Sequence, residues 1–152
     1  MNVAFRVDAS YKMGSGHVVR SLVLADTLKA QGCNVVFVSR RLDGHLISLI
    51  RARGFEVGVL SGSSAITNNA TSTDWLGVSQ QDDAKNTIEN LKGRLIDTLF
   101  VDHYSLDTTW ETLIRPHVGS IVVIDDLANR NHNCDFLIDQ NFRNDNFSCY
   151  KT

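Results

Sequence analysis

A histidine that directly follows a Gly-Ser-Gly segment is the residue of this chain most suited to chemistry. Gly14, Gly16 and His17 end a polar segment, residues 8–17, and an apolar helical pattern begins at Val18. Backbone N–H groups of glycines can approach an anion closely, and a helix N-terminus adds about half a positive charge. That positive end disfavours the imidazolium, so we expect His17 to be neutral near pH 7 and to act as a general base.

Position alone leaves other interpretations of this loop open. His17 could instead cap its helix without any chemistry, and Arg20, one turn later, could bind an anion or form a surface ion pair. The spacing does not match two common nucleotide-binding loops, because Val19 occupies the third glycine position of a dinucleotide fingerprint and no Gly-Lys-Ser/Thr sequence follows. NAD and ATP are therefore disfavoured, and no cofactor is predicted.

A second polar cluster, Asp102, His103 and Tyr104, follows the apolar residues 99–101. At least one of these side chains should project from a strand end into a cleft. The alternative is that Asp102 caps the next turn and that Tyr104 packs its ring into the core.

Two further polar groups raise the question of a metal ion. Asp125 and Asp126 follow another apolar run and could bind a divalent cation or cap a helix, but the spacing identifies no third ligand. His132 and Cys134 are too few for a tetrahedral zinc site. We therefore predict no metal site.

The elements that would position these residues alternate regularly between strand and helix. Strand patterns cover residues 2–7, 34–39, 55–60, 98–102, 120–124 and 136–139, and helical patterns cover 18–30, 45–53, 83–95 and 108–114. Continuous apolar strands that alternate with helices predict an α/β fold, a doubly wound Rossmann-like parallel sheet with helices on both faces. The polar groups at residues 8–17, 39–41, 102–104, 125–126 and 139–141 should then share the carboxyl edge of the sheet.

Two segments give no clear pattern. Residues 62–81 are rich in Ser, Thr, Asn and Gly, with Trp75 and Leu76 as their only large apolar residues, and are expected to form a long surface loop. Residues 141–152 are polar and indicate a tail or the start of a linker. The expected organisation is one domain over residues 1–140, followed by that tail.

The composition limits the classes of function. The 152 residues, 43% of them apolar, suffice for one core, and the net charge of -2 includes no long run of either sign. Nucleic acid is therefore not an expected partner. The N-terminus lacks a signal-peptide pattern and no apolar run approaches the roughly 18 residues of a membrane span, so we expect a cytoplasmic protein without membrane association. Cys33, Cys134 and Cys149 are odd in number and form no CxxC pair, which indicates reduced thiols.

A series of motifs, taken in order along the chain, resembles one family. The motifs are Phe5-Arg6-Val7-Asp8, Gly14-Ser15-Gly16-His17-Val18-Val19-Arg20, Leu24-Ala25, Val101-Asp102-His103-Tyr104, Trp110-Glu111, Ile124-Asp125-Asp126-Leu127 and Asp139-Gln140-Asn141. They resemble the PseG family, the UDP-2,4-diacetamido-2,4,6-trideoxy-β-L-altropyranose hydrolases of pseudaminic acid biosynthesis, whose fold is related to the GT-B glycosyltransferases typified by MurG. The fold class expected from this resemblance is the N-terminal domain of a GT-B fold.

The resemblance also implies an activity and a set of site residues. It implies hydrolysis of a UDP-sugar at the anomeric carbon, with inversion and without a metal. His17 would activate the attacking water and Tyr104 would lie in the same site. The substrate-binding residues implied or expected are Arg6, Asp8, Gly14, Ser15, Gly16, Arg20, Asp102 and His103. Members have a second domain that binds UDP, so we expect this chain to lack that C-terminal domain and to be nearly inactive alone.

Three other functions remain open from the sequence. The chain could be half of a GT-B glycosyltransferase that moves the sugar to an acceptor. It could be a non-catalytic sugar-nucleotide or anion-binding module in which His17 only caps its helix. A flavodoxin-like receiver domain is possible on fold alone.

Overall fold

A computed structural model describes residues 1–60 and 75–141 of the chain. The strands are β1 (Asn2–Val7), β2 (Asn34–Arg40), β3 (Glu56–Leu60), β4 (Ile96–Asp102), β5 (Val118–Ile124) and β6 (Phe136–Ile138). The described helices are α1 (Gly16–Ala30), α2 (Ile47–Ala52), α3 (Gln80–Leu91) and α4 (Thr108–Ile114), with a short 3-10 helix at Arg115–His117. None of these helices has the length and apolar character needed to cross a lipid bilayer.

The six strands form one parallel sheet in the order β3-β2-β1-β4-β5-β6. The chain winds outward from β1 to β3, then crosses back to β4 and winds outward in the other direction. The predicted Rossmann-like, doubly wound α/β fold is confirmed. The winding direction changes between β1 and β4, which is where such sheets bind their ligands.

Two apolar cores cover the two faces of the sheet. Val3, Phe5 and Val7 of β1 pack on one face with Val18 and Leu22 of α1. Because successive strand residues point to opposite faces, the alternate residues of β1 face the other core, which contains residues of α3 and α4. Helices therefore lie on both faces, and Arg6 is directed into the layer beneath α3 and α4.

The bounds of α3 differ from the predicted residues 83–95. The helix begins at Gln80 because Ser79 caps it, its Oγ accepting a hydrogen bond from the Asp82 N–H at 3.1 Å. It ends at Leu91 because Lys92 leaves the helical conformation, and Gly93, with a positive φ of 80°, completes a turn in which the Arg94 N–H donates to the Leu91 carbonyl at 3.0 Å.

The expected surface loop at residues 62–81 is wrong in the part that the structure describes. Leu76 is 2% exposed and belongs to the core beneath α3 and α4, while Gln80 and Gln81 are helical. Because the surrounding residues are polar, the sequence pattern does not indicate that this leucine is buried. Residues 61–74 and the predicted tail at residues 142–152 lie outside the described residues.

Candidate active site

The carboxyl ends of β1, β4 and β5 meet beside the point where the winding direction changes. Arg20 of α1 donates from Nε and Nη2 to Asp102 at the end of β4, at 2.6 and 2.5 Å. Its Nη1 lies 3.4 Å from Asp126, which follows β5. The Tyr104 hydroxyl donates to the same Asp126 at 2.8 Å. These contacts link α1 to the ends of β4 and β5, at the edge where the parallel sheet places them.

The loop before α1 leaves its backbone accessible. The N–H of Gly14 donates to the Ser10 carbonyl at 2.8 Å, and Ser10 Oγ accepts from the Met13 N–H at 3.0 Å, which closes a tight turn. Gly14 has a φ of 79°, a conformation that favours glycine. Apart from the adjacent residues and the backbone of α1 itself, no described atom lies within 4 Å of where a Cβ would stand on Gly14 or Gly16, so a ligand can approach the backbone there.

His17 is the second residue of α1 and lies almost fully buried among polar groups. It is 4% exposed, and its ring meets the Tyr104 ring edge-on at 4.4 Å between centroids. Its Nε2 lies 3.9 Å from Asp102 Oδ1, while its Nδ1 is buried without a hydrogen-bond partner among the described residues. The ring thus faces a carboxylate at the sheet edge rather than the apolar core.

The protonation state of His17 follows from this environment. Burial lowers the pKa of His17 from 6.5 to about 3, and the neighbouring His103 and Arg20 act in the same direction. The ring is therefore neutral near pH 7, as expected from the sequence. The cause of this shift is burial together with the neighbouring groups, rather than the N-terminus of α1 expected from the sequence.

Arg20, Asp102 and Tyr104 have partners at the edge of the sheet. Arg20 forms a part-buried, bidentate ion pair with Asp102 and so positions that carboxylate. Among the described residues, the exposed ion pair that the sequence left open for Arg20 is therefore not formed. Burial and the hydrogen bond to Asp126 raise the pKa of Tyr104, which keeps its hydroxyl protonated. The predicted contact of these residues with substrate stays a prediction.

A fully buried ion network lies beneath the site. Arg6 donates to Asp8 at 2.7 and 2.9 Å and to Asp83 at 2.9 and 2.7 Å. Arg40 Nη2 also donates to Asp83, at 2.6 Å, and its backbone N–H donates to Asp8 at 2.6 Å. His103 completes the network, with Nε2 3.2 Å from Asp8. All these side chains are buried, so Arg6, Asp8 and His103 support the site from below, and their predicted contact with sugar stays a prediction.

Asp83 and Trp110 are the members of this network that sequence reasoning missed. Trp110 Nε1 donates to Asp83 Oδ1 at 3.0 Å, which ties α4 to α3. Asp83 lies on the buried face of α3 with Ala84, Thr87 and Leu91. An acidic residue on the apolar face of a predicted helix is the signal that could have identified it, because a buried carboxylate requires partners.

A second buried network holds the connection between β5 and β6. Asp125 accepts from Arg130 Nη2 at 2.6 Å and from the Ala128 N–H at 3.1 Å. His132 places Nδ1 2.7 Å from Glu111 and Nε2 3.6 Å from Asp125. Asp125 thus anchors a loop, and His132 pairs with carboxylates. Within residues 1–60 and 75–141, no group of three or more His, Cys, Asp and Glu side chains could hold a metal ion.

The charge on His132 makes the stability of this loop depend on pH. Burial lowers its pKa, but the nearby Asp125 carboxylate and the hydrogen bond to Glu111 outweigh burial and raise it from 6.5 to about 9. Because the folded-state pKa is the higher one, the stabilisation from the charged His132 imidazolium is complete below the unfolded-state pKa and is lost as the pH rises through the folded-state pKa.

We expect His132→Gln to lower the free energy of unfolding by roughly 1–2 kcal/mol near pH 6 and by much less near pH 10. Urea unfolding of both proteins measures this, and an equal loss at the two pH values would contradict the assignment.

Comparison with known proteins gives two similar sequences, and no family model matches the chain. The chain is 30% identical over 141 residues to the UDP-2,4-diacetamido-2,4,6-trideoxy-beta-L-altropyranose hydrolase of Campylobacter jejuni subsp. jejuni, an alignment that covers 93% of this chain and 42% of that hydrolase. It is 33% identical over 99 residues to an uncharacterized protein of Methanocaldococcus jannaschii, covering 60% of this chain and 20% of that protein. The chain spans less than half the length of these curated relatives. The resemblance drawn from the motifs is confirmed: along nearly its whole length, this chain is similar to a UDP-2,4-diacetamido-2,4,6-trideoxy-beta-L-altropyranose hydrolase.

Proposed function

We propose that this chain forms the sugar-binding and catalytic-base half of a UDP-sugar hydrolase. The substrate is a UDP-linked diacetamido-trideoxy hexose, and the products are UDP and the free sugar with inverted anomeric configuration. The reaction belongs to pseudaminic acid biosynthesis. One observation carries the proposal: a neutral His17 lies 3.9 Å from Asp102 where the winding direction of the sheet changes.

The chemistry needs one base on the face of the sugar opposite UDP. A water oxygen attacks the anomeric carbon while His17 Nε2 accepts a proton from that water, and the bond from the anomeric carbon to the UDP oxygen breaks. UDP leaves with the glycosidic oxygen and its electron pair. Because a diphosphate is a good leaving group, the protein does not need a strong acid on that side.

The neighbours of His17 are suited to stabilise the charge that this step creates. The imidazolium formed on Nε2 would face Asp102, whose carboxylate Arg20 holds in place. Tyr104 packs edge-on against the ring and is itself fixed by Asp126, so its position controls how a ligand reaches His17. The backbone N–H groups at Gly16 and the N-terminus of α1 would bind oxygens of the sugar or its phosphate, and the open space at Gly14 would let the ligand approach.

The rest of the machinery would come from a C-terminal domain that contacts UDP. The similarity to a hydrolase of which this chain covers 42% supports this division. The isolated chain would then bind only the sugar end of the substrate and turn over slowly. We propose no metal and no cofactor for the reaction.

Product analysis separates hydrolysis from sugar transfer. We expect the complete protein to release UDP and free sugar from the UDP-sugar in buffer that contains no acceptor, with the reaction followed by anion-exchange chromatography and proton NMR. UDP release that begins only after an acceptor is added would contradict hydrolysis and favour a GT-B glycosyltransferase. Binding without any turnover would favour a non-catalytic module.

A further inference from the structure

The buried face of α1 carries two polar side chains next to each other. His17 is 4% exposed and Ser21, four residues later, is 0% exposed, and the other buried residues of this helix are Val18, Leu22 and Ala25. Residues four apart in a helix are neighbours on one face, with Cβ atoms about 5–6 Å apart. His17 and Ser21 are therefore the two polar side chains on the buried face of this helix.

Both side chains of this pair have an unused polar atom. Within the described part of the chain, neither His17 Nδ1 nor Ser21 Oγ has a hydrogen-bond partner, and both atoms are buried. An unpaired buried polar group is costly, so each atom gains by finding a partner. The two atoms belong to residues one helical turn apart on the same buried face of α1.

The proposed reaction places a further demand on Nδ1. If Nε2 accepts the proton from water, the resting imidazole must carry its hydrogen on Nδ1, and the imidazolium then has N–H groups on both sides. Nε2 faces Asp102 at 3.9 Å. Nδ1 points to the buried side, where it needs a neutral acceptor.

We propose that Ser21 is a positioning residue whose Oγ accepts the hydrogen bond from His17 Nδ1–H and so fixes the tautomer that leaves Nε2 free to act as base. This inference rests on the proposed function. A hydroxyl has two acceptor lone pairs and one donor, so Ser21 can accept from Nδ1 while donating to the backbone carbonyl one turn earlier.

Removing the hydroxyl should separate stability from activity. In the complete protein, Ser21→Ala should lower kcat about tenfold with little change in KM, because the wrong tautomer becomes populated. Its melting temperature should change little, because the helix propensity gained with alanine offsets the hydrogen bond lost to Nδ1. Ser21→Cys, of similar size but a weak acceptor, should behave like Ser21→Ala, and Ser21→Thr should retain most of kcat. Thr27→Ala, which removes an exposed hydroxyl from the same helix, should have no effect on kcat.

The tautomer itself can be measured without any assay of hydrolysis. Long-range proton–nitrogen correlation spectra of the nitrogen-15-labelled chain should show His17 with its hydrogen on Nδ1, and Ser21→Ala should shift the population toward Nε2–H. An identical tautomer in both proteins would overturn the proposal, even if kcat had fallen. If the tautomer depends on Ser21 but the complete protein cleaves no UDP-sugar, the proposed function fails while the assignment of Ser21 stands.

Discussion

Replacing His17 with asparagine in the complete protein should lower kcat by a factor of about 10² to 10⁴, the usual contribution of a general base. Asparagine keeps a polar side chain of similar reach but cannot take a proton from water near neutral pH. KM should change little, because the ring contributes mainly in the transition state. Steady-state kinetics on the UDP-sugar measure both constants.

A second histidine provides the control for this substitution. His117 is exposed and precedes β5, at the edge of the sheet opposite the site. His117→Asn should leave kcat and KM unchanged. If His17→Asn also leaves turnover unchanged while the protein remains folded, His17 has no part in the chemistry.

Replacing Asp83 with alanine should destabilise the fold by about 3–5 kcal/mol, the usual cost of removing one partner from a buried ion network. Asp83 accepts from two buried guanidinium groups, those of Arg6 and Arg40, and from Trp110. Without it, two cations remain buried with one carboxylate, Asp8, between them. That loss is a large part of the roughly 5–15 kcal/mol by which domains are stable, so partial unfolding at growth temperature is expected.

Urea unfolding followed by circular dichroism measures this loss directly. Glu89→Gln, on the same helix, removes only an exposed pair with Lys92 at 3.2 Å and should change the free energy of unfolding by less than about 0.5 kcal/mol. A similarly small change for Asp83→Ala would mean that the buried network contributes little. The supporting role assigned to Arg6 and Asp8 would then have no basis.

The sequence predicts the sheet and the meeting of its strand ends for a simple reason. Each strand is a short apolar run, and parallel strands joined by helices place every following polar residue at one edge. The sequence therefore predicts that His17, Asp102 and Tyr104 lie close together. The neutral state of His17 could also be predicted, but its main cause, burial beside Tyr104, depends on packing.

The partners of individual charged residues could not be predicted in the same way. Arg6 and Asp83 are 77 residues apart in sequence, and Arg20 and Asp126 are 106 apart. Whether such residues pair depends on how the helices pack on the sheet. Leu76 was missed because a single buried leucine in a polar segment has no periodic pattern. These features arise from tertiary packing, which local spacing does not encode.

The central claim, attack of a His17-activated water on the anomeric carbon, is tested most directly by hydrolysis in water labelled with oxygen-18. We predict that mass spectrometry of the products will find no label in UDP, and this decides the test because the anomeric hydroxyl of the free sugar also exchanges its oxygen with water through the open-chain aldehyde. Label in UDP would mean that water attacks phosphorus and that the phosphorus–oxygen bond breaks. That result would contradict the mechanism proposed for this site.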